Sequence, residues 1–188
     1  MDNKITVFID RDGVINFDSP DYIKSCEELV FIPGSIEAIA DLSRLGHKIF
    51  IITNQSVIGR KMVTEKGLQQ IFAKMEKAVE DKGGKIDDIF FCPHTPQDNC
   101  DCRKPLPGLF FQAKNKYKTE LKNSVMIGDS AKDIKAAEAA CTGYRILVLT
   151  GNGEKALKEL SQASADFDYT ARNLEDAAEW IKKNTGMQ

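Results

Sequence analysis

The stretch Ile5-Thr-Val-Phe-Ile-Asp10-Arg-Asp12-Gly13-Val14 decides the fold of this 188-residue chain. Its first five residues are an uncharged, apolar and β-branched run, which predicts a strand buried on both faces of a parallel sheet. Two carboxylates one residue apart follow at once, then a glycine that eases a turn. In open α/β sheets the ligand crevice lies beyond the carboxyl ends of the strands, so Asp10 and Asp12 are predicted to project into it. The alternative for this motif is an Asx turn that only closes the strand.

Apolar runs and amphipathic stretches alternate along the remainder of the chain. Further strands are predicted at residues 48–52, 86–91, 124–127 and 144–149, with a weak one near 167–169. Helices are predicted at residues 35–45, 64–82, 108–118, 154–162 and 173–184. One more is predicted to begin after Ser130 and to end at residue 140. Strands that alternate with helices indicate βαβ units, a mostly parallel sheet and right-handed crossovers. We therefore expect one α/β domain that spans residues 1–188.

The composition of the chain limits its partners. The net charge is −2 and acidic and basic residues are interspersed, so neither nucleic acid nor an anionic membrane is expected as a partner. No apolar run approaches the roughly 20 residues of a membrane span, and the N-terminus lacks the layout of a signal peptide, so we expect a cytoplasmic protein. The five cysteines are an odd number and three of them lie close together, which indicates metal binding rather than a disulfide framework.

Polar residues also follow the other predicted strands at their carboxyl ends. Thr53 and Asn54 follow the second strand, Asp129 follows the fourth, and Lys104 belongs to the loop after the third. All these ends open on one edge of a parallel sheet, so the residues should converge. Together they suit the hydrolysis of a phosphate ester, which needs a carboxylate nucleophile, an acid/base, a divalent cation and donors for the phosphoryl oxygens. Taken singly, each has a plainer explanation, such as a helix cap at Asp129 or a solvated charge at Lys104.

A polar loop at residues 92–105 carries three thiols and one imidazole, which are Cys92, His94, Cys100 and Cys102. A Cys₃His set is typical of structural zinc sites, in which no coordination position remains open for catalysis. The alternative is a cluster of free cysteines beside a chance histidine. Because a loop with little apolar content does not order itself, zinc is expected to fix the loop and so to deliver Arg103 and Lys104 to the predicted pocket.

Four motifs resemble those of haloacid dehalogenase-like phosphatases, over about residues 4–150. They are Asp10-x-Asp12-Gly13, Thr53, Lys104 and Gly128-Asp129-x-x-x-Asp133. The resemblance implies a Rossmann-like three-layer sandwich with a central parallel sheet. The short stretch between the first two motifs holds little more than one loop and one helix, so no large cap domain is expected.

The resemblance also implies a role for each motif residue. Asp10 is the nucleophile that forms an aspartyl-phosphate, and Asp12 is the general acid/base. Thr53 and Lys104 orient and stabilise the phosphoryl group. Mg²⁺ is expected to be held by three groups, which are Asp10, the backbone carbonyl of Asp12, and Asp129. Asp133 is expected to support these ligands by hydrogen bonding.

The loop sequences narrow the resemblance to a branch that has a zinc loop and no cap, and that contains heptose-bisphosphate and histidinol-phosphate phosphatases. The segments concerned are Asp-Arg-Asp-Gly-Val-Ile-Asn at 10–16, Thr-Asn-Gln-Ser at 53–56, Cys-Pro-His at 92–94 and Cys-Asp-Cys-Arg-Lys-Pro at 100–105. Residues 58–60 and 105–108 make the chain more similar to the D-glycero-D-manno-heptose 1,7-bisphosphate 7-phosphatases. That family removes the C7 phosphate in a cytoplasmic step toward ADP-heptose for bacterial lipopolysaccharide core.

This resemblance implies a small phosphorylated sugar as substrate, and we expect a monomer. The expected substrate contacts are Asp18, Ser19, Pro20, Asp21, Thr53, Asn54, Gln55, Ser56, Arg103, Lys104 and Ser130. Two alternatives remain open: a histidinol-phosphate or other small sugar-phosphate phosphatase, and a phospho-acceptor receiver domain, in which Asp12 would have no role. Val57 and Lys61 replace glycines common in the heptose family, and Ser130 replaces a lysine seen in some members.

Overall fold

The computed structural model describes residues 4–163 and 165–184, in which strands and helices alternate along the chain. The strands are β1 (Thr6–Ile9), β2 (Lys48–Asn54), β3 (Asp88–Cys92), β4 (Ser124–Gly128), β5 (Tyr144–Val148) and β6 (Tyr169–Ala171). The helices are α1 (Ser35–Arg44), α2 (Glu65–Asp81), α3 (Gly108–Tyr117), α4 (Ala131–Ala140), α5 (Gly153–Gln162) and α6 (Leu174–Asn184). Short 3₁₀ turns lie at Pro96–Asp98 and Leu121–Asn123.

The strands form one six-stranded sheet in the order β3-β2-β1-β4-β5-β6, and every pairing is parallel. The chain therefore winds outward from β1 in one direction and then, from β4 onward, in the other. The point where the order reverses lies between β1 and β4, and ligands of open α/β sheets bind outside the carboxyl ends of the strands at such a point. Residues that follow β1, β2 and β4 are consequently neighbours in space.

Side chains of the sheet point alternately to its two faces, and helices cover both. In β1, Val7 and Ile9 pack in the core formed with α1, α2 and α6, whereas Phe8 packs in the core formed with α3 and α4. The ring of Phe8 lies 4.9 Å from that of Phe110 in α3, edge to face. In β5, Leu147 packs with α5. The three-layer sandwich with a central parallel sheet is thus confirmed.

In three strands, β2, β3 and β6, a boundary lies two residues from the predicted one, and the other strands differ by one residue at one end. β2 runs two residues beyond residue 52, because its last residues pair with the end of β3. β3 begins at Asp88, since the Asp87 carboxylate accepts the Ile49 N–H at 2.9 Å ahead of the strand. β6 begins at Tyr169. Just before it, the Arg145 N–H donates to the side-chain carboxylate of Asp168, at 2.8 Å, rather than to a backbone carbonyl.

The carboxyl edge of the sheet is covered by loops alone in the part of the chain that the structure describes. Between β1 and α1 the chain makes only two isolated bridges, Asp12–Asn16 and Asn16–Phe31, and no further helix or strand. The expectation that no large cap domain is present is therefore confirmed for these residues. Among them, no helix has the length and apolar character that crossing a membrane requires.

Candidate active site

A cavity of about 440 Å³ opens at the carboxyl edge of the sheet, where the predicted residues converge. Its floor comes from strand ends and from the loop after β3, and includes Asp10, Asp12, Thr53, Asn54, Lys104, Asp129 and Asp133. Loops form the walls, with Asp18, Ser19, Pro20, Ser56, Arg103 and Ser130 among their residues. The topology brings these residues together because β1, β2 and β4 are adjacent in the sheet.

The centre of the floor is a buried ammonium between two carboxylates. Lys104 Nζ lies 2.9 Å from Asp10 Oδ1 and 2.6 Å from Asp133 Oδ1. It also donates a hydrogen bond to the carbonyl oxygen of Ile52, at 2.8 Å. Burial alone would lower the pKa of Lys104, but Asp10 and Asp133 together raise it above its ordinary value. Lys104 is therefore a fixed, permanently charged group at the bottom of the cavity.

Asp133 is held in place by the start of α4. Its Oδ2 accepts hydrogen bonds from the Ser130 backbone N–H at 3.1 Å and from the Ser130 hydroxyl at 2.6 Å. A Cβ on Gly128 would lie 2.3 Å from the Asp133 Cβ, so this approach requires glycine at the end of β4. Asp133 thus positions Lys104, while the hydroxyl of Ser130, which also lines the cavity, is bonded to Asp133.

Asp12 faces a different set of donors. Arg11 Nη2 lies 2.7 Å from Asp12 Oδ1 and 2.8 Å from Oδ2, and the side-chain amides of Asn16 and Gln55 donate at 2.9 and 3.0 Å. Burial would raise the pKa of Asp12, but the Arg11 guanidinium and the two amides outweigh burial and lower it below its usual value. These donors favour the ionised form of Asp12, which is the form that a general base takes.

Asp129 approaches the backbone of two loops closely. A Cβ on Gly13 would lie 2.1 Å from Asp129 Oδ2 and one on Gly151 would lie 2.2 Å from it, and both glycines have positive φ angles, of 79° and 57°. The same oxygen accepts the Asn152 N–H at 2.7 Å. Burial, reinforced by the nearby Asp133 carboxylate, raises the pKa of Asp129 to about 7.

The floor has the properties of a divalent-cation site. Asp10, Asp129 and Asp133 each offer one oxygen, and these oxygens lie within 4.8 Å of one another. Burial, followed by the effect of Asp133, raises the pKa of Asp10 well above its usual value. Three carboxylates face the ammonium of Lys104, so acidic groups outnumber basic ones on the floor. Within residues 4–163 and 165–184, Asp10 Oδ2 and Asp129 Oδ1 have no hydrogen-bond partner, so both can act as ligands. Such hard oxygen ligands suit Mg²⁺.

Thr53 and Asn54 are fixed by contacts along the edge of the sheet. The Thr53 hydroxyl accepts a hydrogen bond from the Gln55 side-chain amide at 2.8 Å. Asn54 exchanges two hydrogen bonds of 3.1 Å with the backbone of Lys104, one in each direction. The loops after β2 and β3 are therefore joined at the point where Lys104 enters the floor.

The four predicted metal ligands of residues 92–105 form one cluster. Their Sγ and Nδ1 atoms lie 3.1–3.6 Å apart for the five closest pairs, and all four atoms lie within 4.8 Å of one another. A tetrahedral zinc ion with Zn–S of about 2.3 Å and Zn–N of about 2.0 Å separates its ligand atoms by roughly 3.5–3.8 Å. The cluster therefore fits zinc after shifts of a few tenths of an ångström.

The backbone next to this cluster supports two other loops. The carbonyl oxygens of residues 92–94 accept hydrogen bonds from Gln55 N–H (2.7 Å), Gly59 N–H (3.0 Å) and Arg103 Nη1 (3.1 Å). A Cβ on Gly59 would lie 2.8 Å from the carbonyl oxygen of Pro93, so the loop after β2 packs tightly on this segment. The backbone next to the Cys₃His cluster thus supports the loop after β2, through Gln55 and Gly59, and also supports Arg103 in the cavity wall.

The structure also shows which site residues the sequence patterns placed less well. Asp21 is exposed and does not line the cavity, and the side-chain amide of Gln55 is bonded to Asp12 and Thr53 rather than directed into it. Eight lining residues were not predicted, and these are Tyr22, Arg60, Ala131, Lys132, Asn152, Lys155, Ala156 and Glu159. Asn152 follows the carboxyl end of β5, so the rule that identified Asp129 would also have identified it.

Comparison with known proteins agrees with this geometry. The family model for haloacid dehalogenase-like hydrolases matches residues 6–140. A D-glycero-beta-D-manno-heptose-1,7-bisphosphate 7-phosphatase of Neisseria meningitidis serogroup B is 39% identical over 183 residues, which cover 97% of each chain. A protein of the same name from Pseudomonas aeruginosa is 43% identical, over 88% of this chain and 93% of its own.

A solved structure is similar over nearly the whole chain. It is the D,D-heptose 1,7-bisphosphate phosphatase of B. bronchiseptica, complexed with magnesium and phosphate. The TM-score is 0.88 and the sequence identity 37%, with 95% of this chain and 98% of that chain covered. The similarity therefore extends through every strand and helix that contributes to the cavity.

Proposed function

Because the chain belongs to the haloacid dehalogenase-like hydrolases, and among them to the D-glycero-β-D-manno-heptose 1,7-bisphosphate 7-phosphatase family, we propose that it removes the C7 phosphate of that heptose bisphosphate. The product would lead to ADP-heptose for lipopolysaccharide core. The observation that carries the proposal is the floor of the cavity, where Lys104 lies between Asp10 and Asp133 and Asp129 stands beside them.

The reaction has two steps, and Asp10 acts in both. One carboxylate oxygen of Asp10 attacks the C7 phosphorus, the bond from phosphorus to the sugar oxygen breaks, and an aspartyl-phosphate forms. Asp12 enters this step with a proton taken up from solvent and passes it to the departing sugar oxygen, which returns Asp12 to the carboxylate form. The carboxylate then takes a proton from the water that attacks the aspartyl-phosphate, and the bond between Asp10 and phosphorus breaks to release phosphate. The contacts of Asp12 with Arg11, Asn16 and Gln55 match this second, basic state.

Other residues hold the phosphoryl group while its charge changes. Lys104 and the Thr53 hydroxyl are positioned to donate hydrogen bonds to the equatorial oxygens. We propose that Mg²⁺ is held by Asp10, the backbone carbonyl of Asp12, and Asp129. Bound there, Mg²⁺ would neutralise the repulsion between carboxylate and phosphate. Asp133 would keep Lys104 and the ligands in position.

We propose that the Cys₃His cluster binds one structural zinc ion. The separations of the four ligand atoms support this assignment, as does the position of the cluster under the loops that carry Gln55, Gly59 and Arg103. With four protein ligands, the zinc has no open position for water or phosphate. Its contribution would be to order the wall of the cavity.

We further propose a monomeric, cytoplasmic enzyme. One chain supplies the floor and walls of the cavity, so the site needs no residue from a second copy. The zinc ligands must be reduced thiolates, which suits a reducing compartment, and all five cysteines of the chain are free. Light scattering on the purified protein would give the mass of the species in solution, and a stable dimer would contradict this proposal.

Phosphate release from a panel of substrates tests the function. We expect kcat/KM for D-glycero-β-D-manno-heptose 1,7-bisphosphate to exceed that for histidinol phosphate and for other sugar phosphates by at least about 100-fold, a usual margin for a pocket built around polar contacts. Turnover should stop with EDTA and return with Mg²⁺. Preferential hydrolysis of histidinol phosphate would identify the alternative enzyme, and a single turnover without further release would identify an acceptor domain.

A further inference from the structure

The proposed substrate carries a second phosphate, which the floor of the cavity does not accommodate. Lys104 and the carboxylate site serve the phosphate that reacts, and Lys104 is already paired with Asp10 and Asp133. A second phosphate is a dianion near neutral pH and needs its own donors. Those donors would let the same cavity distinguish a bisphosphate from a monophosphate, and their assignment rests on the proposed function.

Four other cationic residues line the cavity, and these are Arg60, Arg103, Lys132 and Lys155. No ion pair joins any of them to a carboxylate among residues 4–163 and 165–184. Glu159, which lines the same cavity, is paired with Lys135 at 2.7 Å and interacts with Lys132 and Lys155 only electrostatically. The walls therefore carry positive charge that the protein itself does not neutralise, as a site for an additional anion requires.

Arg60 is more strongly oriented than the two lysines. Its guanidinium lies over the ring of Tyr22, 5.5 Å from the ring centroid, which holds the group by a cation–π contact. Its backbone N–H donates to the carbonyl oxygen of Ser56 at 2.9 Å, and the preceding Gly59 is fixed against Pro93. Arg60, Lys132 and Lys155 are all exposed, but neither lysine has such a contact in the described part of the chain.

The position of Tyr22 is itself unusual. Its φ angle is 65°, in the left-handed region that bulky side chains rarely adopt. The turn is held by the Tyr22 N–H, which donates to the carbonyl oxygen of Ser19 at 3.0 Å, and by Lys24 Nζ, which donates to the Tyr22 carbonyl at 3.2 Å. Unfavourable backbone conformations of this kind persist mainly where function requires them. Here the conformation places an aromatic ring in the cavity wall beneath Arg60.

We propose that Arg60, held by Tyr22, binds the phosphate of the substrate that is not cleaved, and that this pair selects bisphosphates over monophosphates. A guanidinium suits the task because its planar fork can donate two parallel hydrogen bonds to phosphate oxygens. A guanidinium held over an aromatic ring keeps its N–H donors available for another partner, and among residues 4–163 and 165–184 the Arg60 side chain donates no hydrogen bond. Arg60 is then a specificity-determining residue, and Tyr22 is a positioning residue that acts through it.

The test compares two substrates in the Mg²⁺-loaded, zinc-containing enzyme: heptose 1,7-bisphosphate and heptose 7-phosphate. Arg60→Gln should lower kcat/KM for the bisphosphate by about 10- to 100-fold, the range for a lost hydrogen bond to a charged group. For the monophosphate the loss should stay below about 3-fold, because that substrate has no group for Arg60 to bind. Arg60→Lys should recover part of the preference.

Tyr22 and an exposed lysine provide the controls. Tyr22→Leu should lower the preference by roughly 3- to 10-fold because it removes the cation–π contact, whereas Tyr22→Phe keeps the ring and should restore the preference. Lys114→Gln, the loss of one positive charge at an exposed position of α3 outside the cavity, should change kcat/KM for both substrates by less than about 2-fold.

The outcomes separate this inference from the proposed function. A wild-type enzyme that shows no preference for the bisphosphate would contradict both. A wild-type enzyme that prefers the bisphosphate would support the proposed substrate. The inference about Arg60 would still be overturned if Arg60→Gln lowered kcat/KM equally for both substrates. A selective loss in Lys155→Gln together with none in Arg60→Gln would also overturn it.

Discussion

The floor and the loop wall of the cavity are stabilised in different ways. The floor consists of buried side chains at strand ends, where Asp10, Lys104 and Asp133 contact one another directly. The loop wall, residues 55–60 and 92–103, has little apolar content and is tied to the Cys₃His cluster through backbone hydrogen bonds. The comparison teaches that the proposed chemistry resides mainly in the part ordered by the sheet, whereas the proposed selection of the substrate resides in the part that the proposed zinc would order.

Replacing the nucleophile should have the largest effect, because it removes the chemistry of the floor outright. Asp10→Asn retains the size of the side chain but cannot form an aspartyl-phosphate, so we expect kcat to fall by roughly 10⁴-fold or more, as for other single nucleophile losses. Phosphate release under saturating substrate measures this. An Asp10→Asn enzyme with kcat within 10-fold of wild type would refute the mechanism, provided that its far-UV circular dichroism matches.

Replacing the acid/base should have the next largest effect. Asp12→Asn keeps contacts with Arg11 but can neither protonate the sugar oxygen nor deprotonate water, so kcat should fall by ~10²–10⁴-fold. Rapid quenching of the variant should trap a phosphoenzyme, because Asp10 remains able to attack substrates with good leaving groups. Absence of a trapped phosphoenzyme, together with normal folding, would place the essential role of Asp12 elsewhere.

The sequence predicts the floor better than the wall for a physical reason. Asp10, Thr53 and Asp129 each follow a buried strand, and a parallel sheet forces such residues to one edge regardless of the details. The clustering of Cys92, His94, Cys100 and Cys102 was likewise predictable, because it follows from residue type and proximity along the chain. The boundaries of β3 and β6 were displaced by side chains that replace backbone partners, Asp87 and Asp168, which no periodicity encodes.

The wall was predicted only in part because its geometry depends on loops meeting in space. Neither the left-handed turn at Tyr22 nor its contact with Arg60 has a signal in either segment taken alone. The assignment of Gln55 as a substrate contact came from its neighbours in the motif, and its amide is instead bonded to Thr53 and Asp12. The contact between Tyr22 and Arg60 depends on how residues 18–22 pack against residues 53–60, and neither segment's own sequence predicts that packing.

Removing a zinc ligand should affect the wall and, through Lys104, the floor, while the sheet is spared. Cys102→Ser should abolish binding of one zinc per chain and lower kcat/KM by ~10²-fold, since misplacing Arg103 and Lys104 by about 1 Å has costs of that order. The far-UV circular dichroism should change little, because the core formed with α1, α2 and α6 contains no residue of this loop, and the loop reaches the core formed with α3 and α4 only through its cysteines. Cys141→Ser, at an exposed free cysteine, is the control and should keep both zinc and activity. Elemental analysis that finds no zinc in a fully active wild type would refute the role of the metal.

The smallest effect is expected where the loop after β2 rests on the zinc loop. A Cβ at Gly59 would come within 2.8 Å of the Pro93 carbonyl oxygen and 3.1 Å of Thr95 Cγ2, so Gly59→Ala must push the two loops apart by a few tenths of an ångström. Since a shift of about 1 Å can lower the rate by ~10²-fold, this smaller one should lower kcat/KM by roughly 3- to 10-fold.

Zinc content should not change in Gly59→Ala, because the four metal ligands lie outside the displaced loop. Gly67→Ala is the matched control, because Gly67 lies in α2 and does not line the cavity. Its new Cβ would lie 3.0 Å from Val63 Cγ1, a contact about as close as the one at Gly59. It should change kcat/KM by less than about 2-fold, and helix propensity favours the alanine. If Gly59→Ala lost zinc as readily as Cys102→Ser, the loop after β2 would be part of what orders the cluster. The direction of support that we infer, from the metal to the wall, would then be wrong.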